Sequence, residues 1–179
     1  MTSIYFHEDD YCQLEILPAE NHTFCSRQMG QINEFAEAHR SGAGYTDMFV
    51  REDNPVSLRE KKIPVIELEE ALTGILPKYH EVYTGYSSYR EKCAHTGAFG
   101  KGQNVVLFYD EKESLVNNIW LTLDIKWEGD ISAALDMFSA MSSLGDFIIT
   151  DWGWNFVEEL KSVDELEQYL HKRLEAFTR

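Results

Sequence analysis

The chain has 179 residues and carries 31 acidic against 16 basic side chains, a formal charge of −15. Such a surplus repels nucleic-acid phosphates and anionic membrane surfaces, and it steers association toward basic partners. A hydrophobic content of 44% with 13% aromatics excludes a disordered acidic chain, which would lack the apolar surface to build a core.

In chain order, Ser3 to Phe6 reads as a short strand and His7-Glu8-Asp9-Asp10 as the turn after it. Tyr11 to Leu17 alternates, with Cys12, Leu14 and Ile16 on one face and Gln13 and Glu15 on the other, until Pro18 closes it. Phe24, Met29, Ile32, Phe35 and Ala36 recur at helical spacing, so Thr23 to Arg40 is expected to be an amphipathic helix capped by Thr23. Ser41-Gly42-Ala43-Gly44 ends that helix, and Tyr45 to Val50 reads as another strand. Pro64 suits the first turn of a helix presenting Leu68, Leu72 and Ile75 and stopping at Pro77.

Residues 78–103 read as irregular: Tyr83, Tyr86 and Tyr89 are followed by the glycine-rich stretch His95 to Gly102, with a mildly basic balance. Val105 to Tyr109 is a strand and Asp110 to Glu113 a turn. In the strand Ile119 to Trp127, Ile119, Leu121, Leu123, Ile125 and Trp127 alternate with Trp120, Thr122, Asp124 and Lys126. That pattern predicts one core face and one solvent or partner face. Asp130 heads a helix burying Ile131, Leu135, Phe138, Met141 and Leu144. Phe147 to Trp152 is a strand, Trp152-Gly153-Trp154-Asn155 a turn, and Ser162-x-x-Glu165 a capping box opening the last helix.

These elements predict a single α+β domain over residues 1–179, with a largely antiparallel sheet and about four helices. Both halves read strand, strand, helix, strand, helix. A duplicated β-β-α-β-α unit is therefore an alternative, divided into 1–77 and 104–179 around the 78–103 connection.

No apolar run reaches the ~18–20 residues of a membrane span. The stretch MTSIYFHEDDYC has neither the basic region nor the apolar run of a secretory signal. Cys12, Cys25 and Cys93 show no disulfide framework, which fits free thiols in a reducing cytoplasm. Nothing in the pattern specifies an oligomer.

Three constellations bear on chemistry. His7, Cys12, His22 and Cys25 are zinc-ligand types, but their spacing is not that of a structural site, and no metal or other cofactor is expected. Arg90, Cys93, His95 and Lys101 lie near the glycine-rich stretch and offer an alternative function, an enzyme or small-anion binder using that loop. No Walker pattern is present, because Lys101 is followed by Gly102-Gln103 and not by a Ser or Thr. No set of acid, base and nucleophile emerges, so no catalytic residue is assigned.

The acidic side chains form the third constellation. Residues 1–60 and 121–179 each carry a balance of −7, and residues 61–120 only −1. Acidic runs at Glu8, Asp9 and Asp10, at Glu67, Glu69 and Glu70, and at Asp110 and Glu111 suit contacts with a basic protein. Tyr11, and Asp151 with Trp154, add aromatic anchors beside acids. The stretches HEDDYCQLEILP and GYTDMFVR make the first ~50 residues resemble small acidic immunity proteins of bacterial polymorphic-toxin systems. That resemblance carries over no residue roles. It implies a cytoplasmic inhibitor that neutralises a basic, nuclease-type toxin, with no binding of nucleic acid or membrane.

Overall fold

A computed structural model describes residues 2–86 and 88–178 of the chain. In chain order its elements are β1 (Ser3–His7), β2 (Leu14–Pro18), α1 (His22–Ala38), the two-residue strands β3 (Arg40–Ser41) and β4 (Gly44–Tyr45), and α2 (Val65–Leu72). Then come β5 (Glu81–Gly85), β6 (Glu91–Lys92), β7 (Thr96–Lys101), β8 (Val105–Lys112), β9 (Leu115–Leu123), α3 (Glu128–Ser142), β10 (Phe147–Asp151), β11 (Phe156–Glu159) and α4 (Val163–Phe177). Among the described residues no helix is long and apolar enough to cross a membrane.

The main sheet has the order β11-β10-β2-β9-β8-β7, with every adjacent pair antiparallel. A smaller sheet, β1-β5-β6, joins β1 and β5 in parallel. This is a single α+β domain. β2 lies between β10 and β9, so residues 1–77 and 104–179 share one sheet. The suggested duplication does not extend to the pairing: β1 and β2 lie in different sheets, whereas β8 and β9 pair with each other as a hairpin.

Strand alternation sends side chains to two different layers. On one face Leu14, Ile16, Leu107, Leu121, Leu123 and Ile149 meet Leu68 and Leu72 of α2, Ile131, Met137 and Phe138 of α3, and Leu166 and Leu170 of α4. The opposite face is covered twice. Leu17 and Ile148 pack on Cys25 and Met29 of α1, while Ala98, Val106, Phe108 and Trp120 pack on Ile4, Phe6 and Val82 of the small sheet. Trp120 is therefore buried rather than facing solvent, whereas Trp127, expected to face the core, is exposed.

Several local expectations change. Cys12 adopts a left-handed backbone, φ 53°, so β2 begins only at Leu14. Asn21 rather than Thr23 precedes α1, and its side chain instead brackets Val56. Its Nδ2 donates to Val56 O (2.7 Å), and its Oδ1 accepts from Val56 N (3.0 Å). That bracket pins residues 46–57, a strap with no regular structure, where a strand to Val50 was expected. α2 ends at Leu72 because the chain unwinds through Gly74, φ 88°, well before Pro77. The capping box forms at Ser57 and Glu60, not at Ser162, whose hydroxyl donates to Glu158 (2.9 Å).

The 78–103 segment is largely sheet. β5 joins the small sheet, and β7 pairs with β8 along its whole length. Its glycines are packing residues: a Cβ on Gly97 would lie 2.1 Å from the Tyr109 hydroxyl.

Candidate functional site

The central seam of the main sheet, β2 against β9, is registered at one pair, Glu15 with Trp120. Beyond that pair β2 turns away at Cys12, and the Leu121–Leu123 end of β9, still paired with β8, has no registered partner on the β2 side. A hollow of about 220 Å³ opens there. Its polar lining comes from four places: Asp10 and Gln13 before β2, Thr122 and Asp124 at the end of β9, Asp151 and Trp154 at and after the end of β10, and Arg173 of α4. A second hollow continues past Asp124, Trp154 and Arg173 to Lys126 and Phe177.

The N-terminal wall is the turn Glu8–Asp10, a single 3₁₀ turn headed by His7, whose Nδ1 accepts from Asp9 N (3.2 Å). Tyr11 follows with its ring edge-on to Trp120, centroids 4.7 Å apart. Its hydroxyl donates to Asp110 (2.7 Å), whose other oxygen accepts from Thr96 (2.8 Å). Burial, then that acceptor, drives the Tyr11 phenol above its ordinary range. The turn is thus pinned to β8 through Tyr11.

The opposite wall is built on Asp151. This buried carboxylate accepts from Gly153 N (3.0 Å) and Trp154 N (3.1 Å) through Oδ1, shaping the turn. Through Oδ2 it accepts from Tyr169 Oη and Arg173 Nη1, each at 2.5 Å. Arg173 also donates Nε to Leu123 O (2.9 Å) and lies 5.0 Å from the Trp154 ring centroid. The Asp151–Arg173 charge is internally neutral. Trp154 remains 44% exposed, and Asp10 and Asp124 have no ion-pair or side-chain hydrogen-bond partner among the described residues. Asp151, 4% exposed, thus holds the turn and Arg173 in place while itself lining the hollow.

The structure unites Asp10 and Trp154, which lie 144 positions apart in the chain. It separates the α2 acids from them: Tyr109 packs in the helix layer, while its neighbour Asp110 faces Tyr11 on the other side. Burial alone would raise Glu69, but hydrogen bonds from Lys78 and Tyr109 hold its carboxyl below the usual range, so it is already engaged. Glu67 and Glu70 sit on the same short helix.

The residues of the alternative ligand loop do not converge. His95 precedes β7 beside Glu111 (4.0 Å), and Lys101 ends β7, roughly 20 Å away at ~3.3 Å per residue. Lys101 lies 4.6 Å from the Trp127 ring centroid, Arg90 lies 4.7 Å from that of Tyr5, and Cys93 packs against the small-sheet cluster with its thiol pushed up by burial. Of the zinc-type residues, Cys25 is buried against α1's own layer, its thiol pushed up to about 11 by burial. Among the described residues no group of three or more His, Cys, Asp or Glu is placed to hold a metal ion.

Sequence reasoning missed Gln13, Thr122, Asp124 and Arg173 as parts of the site. A signal for Arg173 existed in its i,i+4 spacing from Tyr169 on the last helix. The comparisons add nothing to this geometry: neither protein-family models, curated proteins nor solved structures give a match.

A second buried carboxylate lies on the other side of the seam. Glu15 accepts from Trp152 Nε1 (2.8 Å) and meets Arg51 of the strap at 3.5 Å, yet burial raises its pKa. The folded chain holds that proton more tightly than the unfolded chain. Its contribution to stability therefore declines as pH rises through the usual carboxylate range toward the raised value. Glu15→Gln keeps an acceptor for Trp152 and is expected to melt above the wild type at pH 8. The gap should close toward pH 4, and equal melting temperatures at pH 8 would contradict the assignment.

Proposed function

We propose that the protein is a cytoplasmic protein-binding module of the immunity type, neutralising a basic, nuclease-type toxin by covering its phosphate-binding surface. The observation that carries this reading is the convergence of Asp10, the last residue of the acidic Glu8–Asp10 turn, with Asp124 and the exposed Trp154 on one hollow. Complementary charge speeds encounter, and an aromatic side chain inside the acidic rim supplies affinity that charge alone does not. Half of the 16 basic side chains are engaged within the chain. Arg27, Arg51, Arg59, Lys61, Lys78, Lys92, Lys161 and Arg173 are paired with the chain's own acids.

The test is co-expression with the product of a toxin-like reading frame lying beside this one, scored by host growth and by nuclease activity in vitro. The wild-type chain should protect and inhibit. Changing Glu8, Asp9 and Asp10 together to Lys should slow association at least tenfold at low salt, with the circular dichroism spectrum unchanged. Full protection by the triple variant with an unaltered association rate would remove the turn from the contact. Measurable binding of duplex DNA at ~150 mM salt, where charges are screened over ~8 Å, would count against the whole reading.

A further inference from the structure

We propose that the hollow beside Trp154 is a receptor for one arginine side chain of a basic partner, an inference that rests on the reading above and makes it specific. Trp154 supplies the stacking wall. The Arg173 guanidinium lies 5.0 Å from its centroid and the Tyr169 ring 6.4 Å away, nearly perpendicular to it. Trp154 lines both hollows and stands open to solvent. The other exposed rings close to a cation have that cation at the surface: Lys101 at Trp127 and Lys126 at Phe177. Trp154 differs because its own cation is already neutralised and fixed, tied to Asp151 and to Leu123 O.

The charge of the hollow favours the same occupant. Arg173 is neutralised by Asp151, so it sets no net positive charge against an arriving cation. Asp10 and Asp124 are the uncompensated groups, and the backbone fixes both. Gln13 N donates to Asp10 O (3.2 Å), and Asp124 N donates to Asn104 O (2.7 Å). Gln13 and Thr122 add neutral polar side chains to the lining. A guanidinium is planar, so it can stack on an indole while donating in-plane hydrogen bonds to a carboxylate; a lysine ammonium is a compact, strongly hydrated charge that does the first poorly. An anion is excluded by the two free carboxylates.

The experiment is an NMR titration of the isotope-labelled full chain at low salt with three probes: acetyl-Gly-Arg-Gly-amide and its lysine and citrulline counterparts. The Trp154 indole N–H, assigned with Trp154→Phe, should shift saturably with the arginine peptide, several-fold more weakly with lysine and not at all with citrulline. Asp10→Asn combined with Asp124→Asn should weaken arginine binding at least fivefold without moving the indole signal of buried Trp120. A Trp154 signal that does not respond, that responds equally to citrulline, or that is indifferent to the double variant would overturn the proposal. The peptide requires no toxin, so the two readings fail separately. An arginine response without protection in co-expression supports the receptor and defeats the immunity reading. Protection with a silent Trp154 defeats the receptor alone.

Discussion

Trp120→Ala is expected to cost about 3–5 kcal/mol of folding free energy, the range for deleting a large aromatic side chain from a core. The side chain is fully buried at the one registered pair of the β2–β9 seam. It stacks on Phe108 (5.5 Å, 11° between planes) and takes the edges of Phe6 at 5.1 Å and Tyr11 at 4.7 Å. Alanine would empty the space between the two sheets and remove the ring against which Tyr11 is set, so the N-terminal turn should loosen as well. Its indole N–H has no hydrogen-bond partner among the described residues. Trp120→Phe therefore forfeits volume and no hydrogen bond, and should cost only about 1–2 kcal/mol. Leu121→Ala and Leu123→Ala, on the helix-covered face, should each cost about 2–5 kcal/mol. Denaturant unfolding of all four variants checks this. A loss below ~1 kcal/mol for Trp120→Ala would mean that the small sheet does not cover that face.

Trp120 also marks what the sequence leaves hidden. The alternation of Ile119, Leu121, Leu123 and Ile125 is legible because a helix layer needs one apolar face, and all four are buried. An alternating strand looks one-sided, however, and the second cover comes from β1 and β5, distant segments whose pairing has no local signature. The 78–103 stretch misleads for a related reason. Gly97 and Gly100 look like loop residues, but each makes room for a neighbour, the Tyr109 ring in one case and Val105–Val106 with Tyr79 in the other. Conversely, Tyr45 to Val50 alternates convincingly, yet only Tyr45 is paired, with Arg40 in a two-residue ladder, and Met48 and Val50 are left exposed. At the site, the acidic turn and Trp154 stand out as charge and aromatic area. Their meeting depends on β2 turning away at Cys12 and on Arg173 arriving from the last helix, neither of which is a property of local sequence.

Asp151→Ala should be as damaging as Trp120→Ala, about 3–5 kcal/mol, because it leaves the Arg173 guanidinium largely buried without its counter-charge. Burial pushes the Tyr169 phenol well above its ordinary range, so that hydroxyl remains a donor and loses its acceptor too. Asp151→Asn separates the roles. The Oδ1 side can still accept from Gly153 N and Trp154 N, preserving the turn, while the charge facing Arg173 is gone. Arg173→Met is the milder single change, since Asp151 keeps three donors in Tyr169, Gly153 and Trp154. Combined with Asp151→Asn it should recover much of the loss, and a double-mutant cycle should return a coupling of about 1–3 kcal/mol. Additive losses would mean that the pair is not the element holding α4 to the turn. The same variants read on the hollow: with Arg173→Met the indole loses its neighbouring cation, and Trp154 should lose its fixed orientation. Arginine-peptide binding should then weaken even though Asp10 and Asp124 are untouched, as expected of a surface whose aromatic wall is positioned from inside the fold.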